Sequence, residues 1–135
     1  MSSHSDLPTG NDWRWVDSDV IAAVHDRQLS EHGGPAGVRN QDGIESALAR
    51  PINLTLYGNP DAADLAAAYA FGLARNHGFV DGNKRTAWIA ARLFLAYNGY
   101  RLAFDNGDVV RLMEGVASGT VTEQELAGWF RERLG

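Results

Sequence analysis

Two alanine-containing segments with helical patterns flank a polar connection, which is His77-Gly78-Phe79-Val80-Asp81-Gly82-Asn83-Lys84-Arg85-Thr86. The preceding segment begins with an acidic capping residue at Asp61 and keeps its helical pattern to about Asn76. The following segment begins near Gly82 and stops at Asn98-Gly99, because a glycine after the last turn ends a helix. Small side chains on both segments permit close packing. The sequence therefore predicts two central helices joined by residues 77–86.

The N-terminal half also shows helical spacing of its apolar residues. A helix capped by Asp17 or Ser18 is expected to end at Gly33-Gly34. A second, short helix after Asp42 is expected to end at Pro51, because proline disfavours helical geometry in the residue before it.

The C-terminal part contains one extended pattern and two further helix starts. Apolar side chains alternate from Tyr100 to Phe104, which favours a short extended segment but not a sheet. Residues 105–108 then begin a helix, and Thr122 with Glu125 forms a capping-box pattern ahead of another. The predicted fold class is therefore all-α.

Length and composition limit the classes of protein. A chain of 135 residues supports one hydrophobic core, and we expect a flexible leader over residues 1–12 followed by one domain over 13–135. The net charge of −5 gives no protein-wide attraction for nucleic acid or anionic lipid. No cysteine is present, and no stretch is apolar enough for a membrane span. We expect a cytoplasmic protein with no direct nucleic-acid or membrane partner.

The connection at residues 77–86 concentrates groups that phosphate chemistry needs. A helix that begins near Gly82 directs unpaired backbone N–H groups at its start, where a phosphate oxygen would bind. Lys84 and Arg85 could neutralise phosphates, and Asp81 could hold a magnesium ion that bridges them. His77 could accept the proton of an incoming hydroxyl group. A simpler interpretation, a capped helix connection with solvated cations, explains each of these features singly.

The connection resembles the motif of the Fic/Doc family, H-x-F-x-D/E-G/A-N-G/K-R, at every specified position. Lys84, where most Fic proteins carry glycine, and the following Arg85-Thr86-Ala87 are similar to the Doc branch, the death-on-curing toxins. The stretch from Gly33 to Pro51 also resembles the upstream block of Doc proteins. The resemblance spans roughly residues 16–134 and implies a helical bundle in which the active-site loop precedes a central helix.

The resemblance also implies an activity and a role for each motif residue. His77 resembles the catalytic base and Asp81 the magnesium-linked carboxylate, and a phosphate-binding run corresponds to Gly82, Asn83, Lys84 and Arg85. The Doc branch implies a kinase that transfers the γ-phosphate of ATP to a hydroxyl group of elongation factor Tu. It further implies a small antitoxin that covers the site.

Two other functions stay open at this stage. Fic AMP-transferases carry a second arginine three residues after the first, where this chain has Trp88, so nucleotidyl transfer is the second choice. A non-catalytic partner-binding module is the alternative from another class.

Several residues outside the motif are left without a functional role. His25 and His32 are expected to be surface or capping histidines, because isolated histidines are rarely metal ligands. Arg39 and Glu45 are expected to form a surface ion pair. The stretch from Asn53 to Pro60 is either a plain loop or an edge on which a target peptide lies.

Overall fold

A computed structural model describes residues 12–135 of the chain. Its helices are α1 (Ser18–His32), α2 (Gln41–Tyr57), α3 (Ala62–Arg75), α4 (Asn83–Tyr97), α5 (Asn106–Ser118) and α6 (Glu123–Arg133). Within this part of the chain β-structure is limited to two isolated bridges, between Val38 and Phe79 and between Leu102 and Leu134. The predicted all-α fold class is confirmed.

Helix α3 is the centre of the fold, and α2, α4, α5 and α6 all pack against it. The side chain of Tyr69 is fully buried, and its hydroxyl accepts a 2.9 Å hydrogen bond from the N–H of Val16. Burial raises the pKa of Tyr69 to about 12. Gly72 allows α2 to approach, because a Cβ atom there would lie 3.1 Å from the Cβ of Ala47. Small residues at this contact, Gly72 and Ala47, therefore set the distance between α2 and α3.

Helix starts follow the polar residues that the sequence singled out. The side chains of Asp17, Asp61 and Thr122 each accept a backbone N–H of the first turn in α1, α3 and α6. A reciprocal capping box is present at Thr122 and Glu125, as predicted, and also at Asp61 and Asp64.

The prediction that Pro51 ends the second helix is wrong. Helix α2 continues through Pro51 to Tyr57, and the proline ring is fully buried. A proline inside a helix loses one backbone hydrogen bond. Burial of this apolar ring in the core offsets that loss, which the local sequence does not reveal.

The extended segment after α4 pairs with the end of the chain. The N–H groups of Arg101 and Gly135 each donate to the other residue's carbonyl oxygen, at 3.2 and 2.9 Å. Tyr97 is 40% exposed. It lies in the last turn of α4, next to the Asn98-Gly99 turn.

None of the helices found between residues 12 and 135 combines the length and apolar character that crossing a bilayer requires. The expected leader at residues 1–12 lies outside the described residues except for Asp12, and the extent of the domain stays a prediction.

Candidate active site

The loop between α3 and α4 begins with a strained residue. His77 has a φ of +48°, the one non-glycine residue with positive φ among residues 12–135. This left-handed conformation costs a side-chain-bearing residue roughly 1–2 kcal/mol. The turn separates His77 from α3 and leaves its side chain exposed. Strain of this kind is common where a reactive group is held in place.

A side chain of α4 fixes the shape of the loop from within. The amide of Asn83 accepts from the N–H of Phe79 at 3.0 Å and donates to the carbonyl oxygen of Phe79 at 2.9 Å. The ring of Phe79 is buried. The side chain of Asn83 is thus occupied by the loop, and its backbone N–H is the group left to face a ligand.

Helix α4 starts without a side-chain cap, although a side chain caps each of the other five helices. Its first backbone hydrogen bond runs from the N–H of Thr86 to the carbonyl oxygen of Gly82, at 3.0 Å. The N–H groups of Asn83, Lys84 and Arg85 precede that bond and have no backbone partner among the described residues. They form a partly positive helix start that favours an anion.

The carboxylate of Asp81 lies between the loop and the chain that follows α1. Its Oδ1 atom accepts from the N–H of Gly82 at 2.9 Å. Its Oδ2 atom is close to Gly34, where any Cβ atom would collide with it. Gly34 also has a φ of +113°, so both its conformation and its contact with Asp81 require glycine.

A cavity of about 700 Å³ brings the motif residues together. His77, Asp81 and all four residues of the predicted phosphate-binding run line it, namely Gly82, Asn83, Lys84 and Arg85. Lys84 lies 4.0 Å from Glu114 of α5, and both side chains are more than half exposed. Arg85 is exposed and has no ion-pair partner within residues 12–135. The two cationic residues, and the three residues whose amides have no backbone partner within residues 12–135, therefore line one cavity.

The segment beside this loop is residues 33–40, not the stretch from Asn53 to Pro60. The N–H of Arg39 donates to the carbonyl oxygen of Gly78 at 2.8 Å, and that of Val80 donates to Gly37 at 3.1 Å. Most of the stretch from Asn53 to Pro60 is not a loop but the last part of α2, which ends at Tyr57. It also ends where α3 begins, whereas the loop at residues 77–82 follows the other end of α3. The 14 residues of that helix separate them by about 20 Å.

The expected ion pair of Arg39 and Glu45 is absent from residues 12–135. Glu45 instead accepts a hydrogen bond from Gln41, at 2.7 Å.

Helix α1 contributes residues that the sequence did not connect with the site. His25 was expected at the surface but is 3% exposed, and its ring stacks on Phe79 at a centroid distance of 3.7 Å. His32 and Gln28 line the cavity. Gln28 is 7% exposed, and its amide has no hydrogen-bond partner within residues 12–135. The spacing of these residues places them on one side of α1, but only the packing of α1 on α4 shows what they face.

Trp88, which stands where AMP-transferases have a second arginine, belongs to the hydrophobic core. Trp88 is 8% exposed, and its ring stacks on Phe130 at 6.0 Å with edge contacts to Phe104 and Trp129. Its edge also reaches the cavity. A charged side chain would disrupt this aromatic cluster, so the difference from AMP-transferases is built into the packing.

Comparisons with known proteins agree with this geometry. The family model described as "Fic/DOC family" matches residues 15–95. The chain belongs to the Fic/DOC family. This membership confirms the family resemblance that the motif carried, and the matched region covers α1 to most of α4.

Two relatives confirm the likeness to the Doc branch of the family. The "Toxin Doc" of Mycolicibacterium smegmatis is 48% identical over 91 residues, which cover 64% of this chain and 69% of that protein. The "Protein kinase doc" of Escherichia phage P1 is 32% identical over 123 residues, or 90% of this chain and 97% of the relative. The Fic/DOC likeness thus extends beyond α4 to nearly the whole chain.

Proposed function

We propose that the protein is a Doc-like toxin that transfers the γ-phosphate of ATP to a serine or threonine hydroxyl of a target protein. By family resemblance the target is elongation factor Tu, whose modification would block translation. One observation carries the proposal: the exposed imidazole of His77 and the uncapped start of α4 line the same cavity.

The start of α4 supplies the anion site in this proposal. Backbone N–H groups of Asn83, Lys84 and Arg85 would donate to phosphate oxygens, and the two cationic side chains would offset the remaining charge. These groups are held in place before the ligand arrives, so little reorganisation is needed as charge develops. Gln28, whose amide at the cavity has no partner among residues 12–135, can add a hydrogen bond to the nucleotide.

Asp81 is the residue that would hold Mg²⁺. Magnesium prefers oxygen ligands and is commonly bound by one or two carboxylates together with substrate phosphates and waters. Asp81 is exposed at the cavity beside the anion site, which fits that donor set. Held by Asp81, Mg²⁺ would supply charge neutralisation for the phosphates of ATP.

His77 is the proposed general base. As the acceptor oxygen bonds to the γ-phosphorus, its proton passes to the imidazole, and the bond from phosphorus to the oxygen of ADP breaks. His77 is on the exposed side of the loop, so a hydroxyl from another protein can reach it. The fixed turn before Gly78 would orient the ring for that encounter.

Phosphate transfer fits better than AMP transfer because of two residues. Trp88 occupies the place of the second arginine and is packed in the aromatic cluster, so no second guanidinium comes from that position. Lys84 adds a bulky cation where most Fic proteins have glycine. Both differences would change the position in which the triphosphate binds, which supports γ-phosphate transfer.

The same proposal includes a partner. A relative named "Toxin Doc" supports a toxin–antitoxin pair, in which a small antitoxin would cover the cavity. We place the pair in the cytoplasm, where a translation factor is accessible.

The first prediction tests the reaction and its base together. Purified protein is incubated with Mg²⁺-ATP and elongation factor Tu, and the target is examined by mass spectrometry for added phosphate or AMP. We expect one phosphate with the wild type and no modification with His77→Ala. The control His32→Ala removes another imidazole at the cavity and should retain most of the activity.

Three results would contradict the proposal in different ways. AMP on the target would replace the kinase with a nucleotidyl transferase. Undiminished transfer by His77→Ala would remove the base assignment. Absence of ATP binding in calorimetry would favour the non-catalytic module.

A further inference from the structure

The buried imidazole of His25 makes a directed contact with the active-site loop. Its Nε2 atom lies 2.7 Å from the carbonyl oxygen of Asp81. Because a carbonyl oxygen only accepts, Nε2 must carry the proton. The face of the same ring stacks on Phe79, with 10° between the ring planes. One side chain of α1 therefore contacts the loop at two separate points.

We infer that His25 is a positioning residue that sets the direction of the Asp81 carboxylate and of the first amides of α4. This inference rests on the proposed function, because it specifies how that site is held ready.

The contact acts through the peptide plane between Asp81 and Gly82. The carbonyl oxygen of Asp81 and the N–H of Gly82 belong to one rigid unit. Holding the oxygen at His25 therefore fixes the direction of the N–H, which donates to Oδ1 of Asp81 at 2.9 Å. The carboxylate is thus oriented by a continuous path that begins at the ring of His25.

The same plane determines where α4 begins. Gly82 precedes the helix with a φ of +82°, and a Cβ atom on it would lie in ordinary contact with the ring of His25, at 3.5 Å. A rotation of the Asp81–Gly82 peptide would redirect the next amides, which are those proposed to hold phosphate. Asn83 fixes the first half of the loop through Phe79, and His25 fixes the second half.

A buried histidine could instead serve only to fill the core. Phenylalanine or leucine would fill that space without a polar atom, whereas this ring uses its N–H on a main-chain carbonyl. The two roles predict different responses to substitution. A residue that only fills the core acts through its stack with Phe79. A positioning residue acts through the N–H that it donates to the carbonyl oxygen of Asp81.

Two variants of His25 separate the stack from the donor. His25→Phe keeps an aromatic ring against Phe79 but has no N–H for the Asp81 carbonyl. His25→Gln has no ring but can place an amide N–H near the former Nε2. We expect His25→Phe to lower the rate of phosphate transfer by about tenfold to a hundredfold, as a misplaced reacting group does. We expect His25→Gln to retain more of the rate.

Thermal unfolding of the same proteins gives the contrasting readout. His25→Gln lacks the stacked ring, so its melting temperature should be no higher than that of His25→Phe. The variant with the higher transfer rate would therefore not be the more stable one. Ile21→Val is the matched control on α1, because Ile21 is fully buried but belongs to the core cluster rather than the loop. It should lower the melting temperature and leave the transfer rate unchanged.

The inference is overturned if the transfer rate follows stability, with His25→Phe the more active variant. A second measurement covers the case in which the wild type transfers no phosphate and the proposed function fails. NMR shifts of the Asp81 carbonyl carbon and the Gly82 amide should then move in His25→Phe and stay closer to wild type in His25→Gln. Equal shifts in both variants would also overturn the inference.

Discussion

His77 has a left-handed backbone conformation and an exposed ring. The residue proposed as the general base is therefore also one whose backbone is strained. A side chain at positive φ is strained by about 1 kcal/mol or more, whereas glycine is not. The sequence showed that a histidine follows α3 and precedes a glycine. It did not show that the histidine itself, rather than Gly78, would take the left-handed turn.

The second prediction concerns this strain. His77→Gly should be more stable than His77→Ala by about 1 kcal/mol, because only glycine adopts the turn without strain. Both variants should lack phosphate transfer, since neither has a base. Urea unfolding of the two proteins measures the difference. Equal stabilities would show that the turn stores no strain at this position.

At the scale of helices, Asp61 has two tasks at the start of α3. It caps the helix through the N–H of Asp64, and it accepts two hydrogen bonds from Arg131 of α6, at 2.8 and 3.0 Å. Hydrogen bonding to the Arg131 guanidinium is the largest cause that lowers the pKa of Asp61, from 3.8 to about 2. The cap was predicted from the sequence, but the arginine 70 positions away was not.

The third prediction follows from the sign of this shift. Since the folded-state pKa is below the unfolded value, the ionised form stabilises the fold above about pH 4, and that contribution is lost as pH falls through 2. Asp61→Asn keeps a cap but removes the charge. It should therefore lose less stability than the wild type between pH 4 and pH 2 in acid titrations of thermal unfolding.

A second cap provides the control for this titration. Asp105 caps α5 and has no arginine partner among residues 12–135. Asp105→Asn removes a capping carboxylate without removing an arginine pair, so Asp61→Asn should change the acid response more than Asp105→Asn does. If Asp61→Asn and Asp105→Asn altered the loss of stability between pH 4 and pH 2 equally, the pair of Asp61 with Arg131 would not control the acid response.

At the scale of the whole molecule, the core and the candidate site share Trp88. One side of this residue belongs to the aromatic cluster with Trp129 and Phe130, and its edge reaches the cavity. The sequence places Trp88 only within the predicted helix that follows Gly82. Only packing shows that this position joins α6 to the wall of the site.

The fourth prediction tests whether the missing arginine can be restored. Trp88→Arg should lower the free energy of unfolding by about 3 kcal/mol or more, because it removes a large buried ring and buries a charge. It should not produce AMP transfer. Ile89→Arg places a guanidinium at the neighbouring, half-buried cavity position and should cost less. Stable, AMP-transferring Trp88→Arg protein would refute this account.

The sequence by itself determined the approximate positions of the helices, apart from the end of α2, together with most of their caps and the cluster of motif residues at 77–86. A helix cap or a turn depends on neighbours within about four residues, and the motif is one continuous stretch. The local amino-acid sequence is therefore enough to identify the caps and the motif. The roles given to His77, Asp81 and residues 82–85 remain predictions, although all six of these residues line one cavity.

Tertiary structure alone decided what lies around the motif. Pro51 is inside a helix because its ring is buried, residues 33–40 lie beside the loop because α2 runs back along α3, and His25 reaches Asp81 across 56 positions of sequence. Each of these outcomes depends on contacts between distant segments. No local propensity encodes such contacts, since their free energy arises only when the helices pack together.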